Sequence, residues 1–280
     1  MNLALCMIVR NEEAVLARCL RSVRELAPEI VIVDTGSTDG TPRIAAEHGA
    51  KFASFSFERV DFAAARNRSL ELAASPWILV LDADELLYPG SAPLIQELIS
   101  RNDNAGYYFE RLNFRPEGQP PATDHAIRLF PNNPAYRYRG RVHETVDDSI
   151  LAAGGRLLRT PIRVAHEFAA DPEARRRRNL LYIGILQEEL AEDPENHSRL
   201  IFLAAEYHQL GMFHEAAGIA ERIARLRPDD PEAQLHSGIY QLLYRVDRER
   251  ARAAFELALK LRPGYPEAVS FLDLLEKTPG

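Results

Sequence analysis

Three acids stand within four positions at Asp82-Ala83-Asp84-Glu85, directly after the apolar run Trp77-Ile-Leu-Val-Leu81. The run reads as a buried strand, and packing gives no reason for acids at its end. Carboxylates at i and i+2 on extended backbone point to one face, so Asp82 and Asp84 are expected to converge on one cation. In an open α/β sheet, ligands sit at the carboxyl ends of the strands. A hard cation held there by carboxylates keeps coordination sites for the oxygens of a phosphate. A solvated turn would show the same residues, so the reading depends on what else reaches that edge.

Several other groups do. Val33-Asp34-Thr-Gly36-Ser37-Thr-Asp39-Gly40-Thr41 is a second acid-bearing turn. At its strand end, Asp34 can accept from an imide N–H or a ribose hydroxyl. Gly36 and Gly40 let backbone turn tightly and approach a ligand. Ser37 and Asp39 either serve a nucleoside or cap the helix that opens near Thr41. Arg66 is a planar, permanent cation suited to a uracil edge or a phosphate, or else a surface helix arginine. Asn67 beside it carries the same two readings. Two His-Glu pairs follow, His143-Glu144 and His166-Glu167. Each joins an imidazole that can ligate a metal to a carboxylate that can act as general base. Neither has the spacing of a helical zinc motif, and Cys6 and Cys19 lack paired ligand spacing, so no zinc site is expected. Arg128 reads as a phosphate holder or as an exposed strand arginine.

The elements that must position these groups alternate in the first half. Leu3–Val9, Ile30–Val33, Lys51–Phe57 and Trp77–Leu81 are apolar runs of strand length. Helical spacing fills residues 12–25, with Asn11 as expected N-cap, then 41–48 and 61–74. This βαβα order predicts a parallel, doubly wound sheet. Beyond Pro93 the rhythm changes to a helix near 92–100, an aromatic strand over 106–114, a loop at Arg115–Ala122 and a strand over 126–130. From about Asp171 the pattern is helical throughout. Leu203, Ala204, Tyr207, Ala216, Ala220, Ala224 and Pro228 occupy the packing positions of a tetratricopeptide repeat of about 34 residues. Gly238, Ala251, Phe255, Ala258 and Pro263 supply a second copy, with one residue inserted after Gly238. Flanking helices at 178–190 and 266–275 are expected to cap this short solenoid.

Composition excludes some classes. The chain of 280 residues is 46% hydrophobic, enough for one large or two modest domains. A net charge of −7 gives no electrostatic case for a nucleic-acid partner. Both cysteines fall on apolar positions and read as reduced core residues, which suits a reducing, cytoplasmic setting. The apolar opening is too short for a membrane span and lacks the features of a signal peptide.

Taken together, the chain resembles family 2 glycosyltransferases. The resemblance rests on Met7-Ile-Val-Arg-Asn-Glu12, on Val33–Thr41, on Asp61-Phe-Ala-Ala-Ala-Arg66-Asn67 and on Asp82-Ala-Asp84, four segments in order at strand ends or helix starts. It implies an α/β N-terminal domain of GT-A type over residues 1–170, a Rossmann-like nucleotide-sugar-binding fold. An all-α tetratricopeptide-like domain over 171–280 follows, with repeats at about 197–230 and 231–265, as in a bacterial subgroup. It further implies Asp84 as direct ligand of Mn²⁺ or Mg²⁺, with His166 completing the metal shell. Asp82 would then contact ribose or metal-bound water, and Asp34, Asp39, Arg66 and Asn67 would bind the donor nucleotide, UDP foremost. Glu144 is implied as base or acceptor contact, with His143 as its neighbour. The expected reaction is inverting sugar transfer to a glycan, a lipid-linked precursor, or a peptide or protein. The helices would hold the acceptor, a protein partner or a second copy in a homodimer. A sugar nucleotidyltransferase would carry a glycine-rich basic loop where Val9-Arg-Asn-Glu12 stands. An idle repeat scaffold would be expected to lose the acids.

Overall fold

The computed structural model describes residues 2–26, 28–101, 103–114, 120–167, 172–245 and 247–277. The chain forms two compact units, Met1–Ala170 and Asp171–Gly280.

In the first unit, strands β1 (Leu3–Val9), β2 (Glu29–Asp34), β3 (Lys51–Ser54) and β4 (Trp77–Val80) alternate with helices α1 (Leu16–Ser22), α2 (Thr41–Glu47) and α3 (Phe62–Leu72). These four strands pair in parallel in the order β3-β2-β1-β4. Alternate residues of β1 enter opposite apolar layers. Leu3, Leu5, Met7 and Val9 join one, and Ala4 and Cys6 join the other. A strand covered on both faces is why the run shows no polar alternation.

The chain continues through β5 (Glu85–Leu87), α4 (Ser91–Ser100), β6 (Ala105–Phe114), β7 (Ala122–Pro131), α5 (Asp147–Ala152) and β8 (Arg156–Glu167). The complete sheet runs β3-β2-β1-β4-β7-β6-β8-β5. Here β7 is antiparallel to both β4 and β6, β8 is parallel to β6, and β5 is antiparallel to β8. The parallel, doubly wound arrangement expected from the βαβα order is found in β1–β4, and the later strands make the complete sheet mixed. The link from β6 to β7 is too short for the crossover that parallel pairing requires.

Other boundaries shift for local reasons. The helix expected from residue 12 begins at Leu16 with Val15 at its N-cap, because Asn11 is drawn into a different contact, given below. β3 stops at Ser54, and β7 begins earlier than expected. Of the expected loop at 115–122, residues 115–119 lie outside the described residues. The short β5 and α5 carry no periodic signal, and neither is expected from sequence.

The second unit consists of α6 (Pro172–Glu192), α7 (His197–Gln209), α8 (Phe213–Leu226), α9 (Pro231–Tyr240), α10 (Arg248–Leu261) and α11 (Pro266–Lys277). The side chains of Asn196, Asp230 and Asp247 cap α7, α9 and α10 by accepting first-turn N–H groups. Leu203, Ala204, Tyr207, Ala216, Ala220 and Ala224 are all buried. Gly238 lies flat against Phe255, where a Cβ would come within 2.6 Å of the ring. The inserted residue coincides with a π-helical turn at Gln241–Arg245, whose wider loop absorbs one extra position.

Candidate active site

Parallel pairing brings the carboxyl ends of β1, β2 and β4 to one edge. The segment after β1 is stitched to the loop after β2. Asn11 adopts a left-handed backbone (φ 58°), a conformation that asparagine tolerates better than most residues. Its side-chain oxygen accepts from the Thr38 N–H at 2.7 Å, and its own N–H donates to Ser37 Oγ at 2.9 Å. Glu12 N–H donates to Thr41 Oγ1, Glu13 N–H donates to Asp39, and Gly40 N–H donates to the Glu13 carboxylate.

Asp34 is buried at the end of β2 and closes the turn. It accepts from the N–H groups of Gly36 and Ser37 and from Ser37 Oγ. Gly36 takes φ 107°, open to glycine at little cost. Asp39 accepts the Thr41 N–H at 2.9 Å, at the start of α2. Both acids thus shape the loop at this edge.

The acids after β4 do not lie on extended backbone. Glu85 N–H donates to Asp82 C=O at 3.0 Å, so residues 82–85 form a tight turn. The expectation that Asp82 and Asp84 converge on one face is corrected accordingly: they part. Asp82 takes two arginines, Arg66 Nη2 at 2.6 Å and Arg128 Nη2 at 3.1 Å. Burial alone would raise its pKa, but Arg66 and then Arg128 outweigh that and hold it far below the carboxylate range. Arg128 also pairs with Glu85, which is fully buried. Arg128 is therefore not an exposed strand arginine; it is 5% exposed and bridges two acids.

Asp84 turns the other way, to His166 Nε2 at 3.2 Å. The contact follows from register, since Glu85 of β5 stands opposite His166 of β8. Nδ1 of His166 lies 2.7 Å from Asn113 Oδ1. Glu167 closes β8.

Arg66 links this edge to the loop after β7. Asp61 caps α3 by accepting the Ala64 N–H, which sets the helix that carries Arg66 and Asn67. Arg66 Nε donates to Glu144 Oε1 at 2.5 Å, and its guanidinium lies 5.6 Å from the Tyr138 ring centroid. Asn67 spends both amide ends on the Tyr138 backbone, at 3.0 and 2.8 Å. It positions the chain that leads to Glu144. That chain turns back through reciprocal hydrogen bonds between Arg139 and Thr145, with Gly140 at φ 94° and His143 at φ 49°. Arg66 Nη1, Arg128 Nε and Tyr138 Oη are buried and find no hydrogen-bond partner among the described residues. Buried donors left in this way, on residues that surround Asp82, suit an anionic or hydroxylated ligand.

Glu12 belongs to the same site; sequence reasoning placed it in the Met7–Glu12 motif and at the start of a helix, and gave it no role of its own. Burial, then Asp84, Asp82 and Asp39, push its carboxyl up to about 7. The signal available was its place at a strand end on the ligand edge. Four acids that crowd one another create negative potential suited to a cation. Among the described residues, no three His, Cys, Asp or Glu side chains form a complete metal cage. Asp84 and His166 are a carboxylate and an imidazole, side chains of kinds that ligate divalent cations. Such ions commonly take their remaining oxygens from phosphates and water.

The chain is similar to several known proteins. The chain is 41% identical over 151 residues to "TPR repeat-containing protein Synpcc7942_0270" of Synechococcus elongatus, across 54% of this chain and 37% of that protein. It is 28% identical over 224 residues to "SPbeta prophage-derived glycosyltransferase SunS" of Bacillus subtilis, across 75% and 50%. The chain therefore spans half or less of the length of these relatives. Among solved structures, S. aureus TarS 1–349 in complex with UDP-GlcNAc superposes with a TM-score of 0.50 at 14% identity, across 99% of this chain and 91% of that one, a likeness of fold. The model of Glycosyl transferase family 2 matches residues 4–162, more than half of the chain. By that match the chain belongs to glycosyl transferase family 2.

Proposed function

We propose that the chain is a metal-dependent, inverting glycosyltransferase that moves a hexose or N-acetylhexosamine from a nucleotide diphosphate to a hydroxyl-bearing acceptor. The observation that carries this reading is the meeting of Asp84 with His166 in the negative field of Glu12. These two residues would hold Mn²⁺ or Mg²⁺. When bound, the ion offsets the charge that grows on the leaving diphosphate. UDP is the nucleotide we propose, as in the TarS complex. Asp34 and Asp39 shape the nucleoside loop, and Asp82, held by Arg66 and Arg128, serves ribose or a metal-bound water. Glu144, oriented by Arg66, takes the proton of the acceptor hydroxyl as its oxygen attacks the anomeric carbon. The bond from that carbon to the diphosphate oxygen breaks, and its electron pair leaves with the diphosphate. His143 borders the base.

Acceptor classes that fit the family's range are a glycan, a lipid-linked precursor, and a peptide or protein. A relative 37% identical over 99 residues, across 34% of this chain and 36% of that protein, is named "Lipopolysaccharide core biosynthesis glycosyltransferase LpsC" (Rhizobium meliloti). The helical unit would bind the acceptor, a protein partner or a second copy. Among the described residues, no helix is long and apolar enough to cross a membrane. We place the reaction in the cytoplasm.

The test is a hydrolysis screen of UDP-, GDP- and dTDP-sugars with and without Mn²⁺, paired with thermal shifts for each nucleotide. The expected result is diphosphate release from one donor, dependent on metal and lost in Asp84→Ala. Absence of both turnover and thermal shift for every nucleotide would overturn the reading.

A further inference from the structure

We infer that Asn113 and Asp124 fix the proton of His166 on Nδ1, so that Nε2 presents its lone pair to the cation shared with Asp84. The inference rests on the metal site proposed above and adds two positioning residues to it. Strand register builds the relay. Arg111 and Asn113 lie two apart on β6 and so share a face. Arg111 stands opposite Asp124 of β7, and Asn113 stands opposite His166 of β8.

The donors converge on Asp124 from both sides. Arg111 clamps Asp124 with two parallel bonds, Nε to Oδ1 at 2.8 Å and Nη2 to Oδ2 at 2.7 Å. Asp124 Oδ2 accepts from Asn113 Nδ2 at 3.2 Å. A carboxylate clamped by arginine only accepts, so the NH₂ end of Asn113 must face it. Oδ1 is then the end that meets His166, and an amide oxygen only accepts. Nδ1 must therefore carry the hydrogen, at 2.7 Å.

The alternative places two acceptors against each other on a buried asparagine. Neutral imidazole with its proton on Nε2 would satisfy Asp84, but Asp84 lies farther away, at 3.2 Å, and its side chain is 35% exposed. Water can serve that side, whereas burial denies it to the other, so the Nδ1–H tautomer is favoured. Outer partners of this kind orient ligating histidines and raise their basicity. Arg111 also approaches Glu85 at 3.6 Å, which joins the relay to the arginine network of Asp82.

Histidine-selective ¹⁵N labelling of the full chain without metal tests this directly. At about pH 8.5, above the ordinary imidazole value of about 6.5, long-range ¹H–¹⁵N correlations report the tautomer. The His166 signal is assigned by its loss in His166→Gln. The expected spectrum shows Nδ1 protonated and Nε2 bare; a protonated Nε2 in the wild-type protein overturns the proposal. Asn113→Ala is expected to move the proton toward Nε2 and to weaken binding of Mn²⁺ alone, followed by electron paramagnetic resonance, by roughly 10- to 100-fold. Wild-type affinity in folded Asn113→Ala sinks the relay and leaves the metal site standing. A wild-type protein that binds no Mn²⁺ sinks the metal site itself, and the relay's purpose with it. If Asn113→Ala does not fold, the wild-type tautomer alone decides.

Discussion

Asp82 and Asp84 are two positions apart and do unlike work. Asp82 is neutralised by two guanidinium groups, whereas Asp84 meets a single imidazole. Replacing Asp84 by Ala should lower turnover by at least about 100-fold, in line with several kcal/mol of transition-state charge stabilisation. Denaturation midpoints should move little, because no arginine is left unpaired. Arg66→Ala should do the opposite to stability. It strands Glu144 and half of the Asp82 pairing, at about 3 kcal/mol in urea denaturation. Arg66→Lys should recover only part, since an ammonium lacks the planar fork that spans both acids. Glu12 gives a pH dependence with a definite sign. Its folded pKa of about 7 exceeds the ordinary 4.5. The folded metal-free protein thus prefers the protonated acid, and this contribution to stability is lost as pH rises from 4.5 to about 7. A bound cation reverses the preference, so Mn²⁺ affinity should climb through that window with release of a proton, and Glu12→Gln should flatten the climb. Acids at strand ends are legible in a sequence because position alone marks them. The Arg66–Glu144 pair is not, since its partners lie 78 residues apart and no local pattern joins them.

Elements were legible where one physical signal dominated. Unbroken apolar runs marked the buried parallel strands, and small residues at repeat spacing marked the helical hairpins. β5 escaped because it is three residues long and opens on a buried glutamate whose charge is met by Arg128 from β7. The mixed pairing escaped because antiparallel and parallel neighbours are chosen by contacts distant in sequence. The helical unit offers a paired test of packing. Gly238→Ala drives a methyl into the Phe255 ring and should cost about 1–3 kcal/mol. Gly184→Ala in α6 meets nothing within 4 Å and should gain about 0.5–1 kcal/mol from reduced freedom of the unfolded chain. Thermal unfolding of the two variants should therefore shift in opposite directions.

At the scale of the molecule, each unit has an apolar core of its own. Saturation with UDP and Mn²⁺ at about 100 times Kd should stabilise the α/β unit by roughly 2.7 kcal/mol. Calorimetry should show that gain as a higher unfolding temperature. The order of strands has a further consequence for the chain as it is made. β8 is last in sequence yet interior in the sheet, between β6 and β5. The finished sheet ends on one side at β3, of four residues, and on the other at β8, of which β5 covers only Val164–His166. Before β8 emerges from the ribosome, the margin is instead the ten-residue β6, with Tyr107 and Phe109 along it. A nascent chain released at that point would carry a long, sticky border and no His166, and it should partition to the insoluble fraction. Completion of one strand thus covers the whole of β6 and delivers the imidazole together, so that the site and its supporting edge are finished in one step.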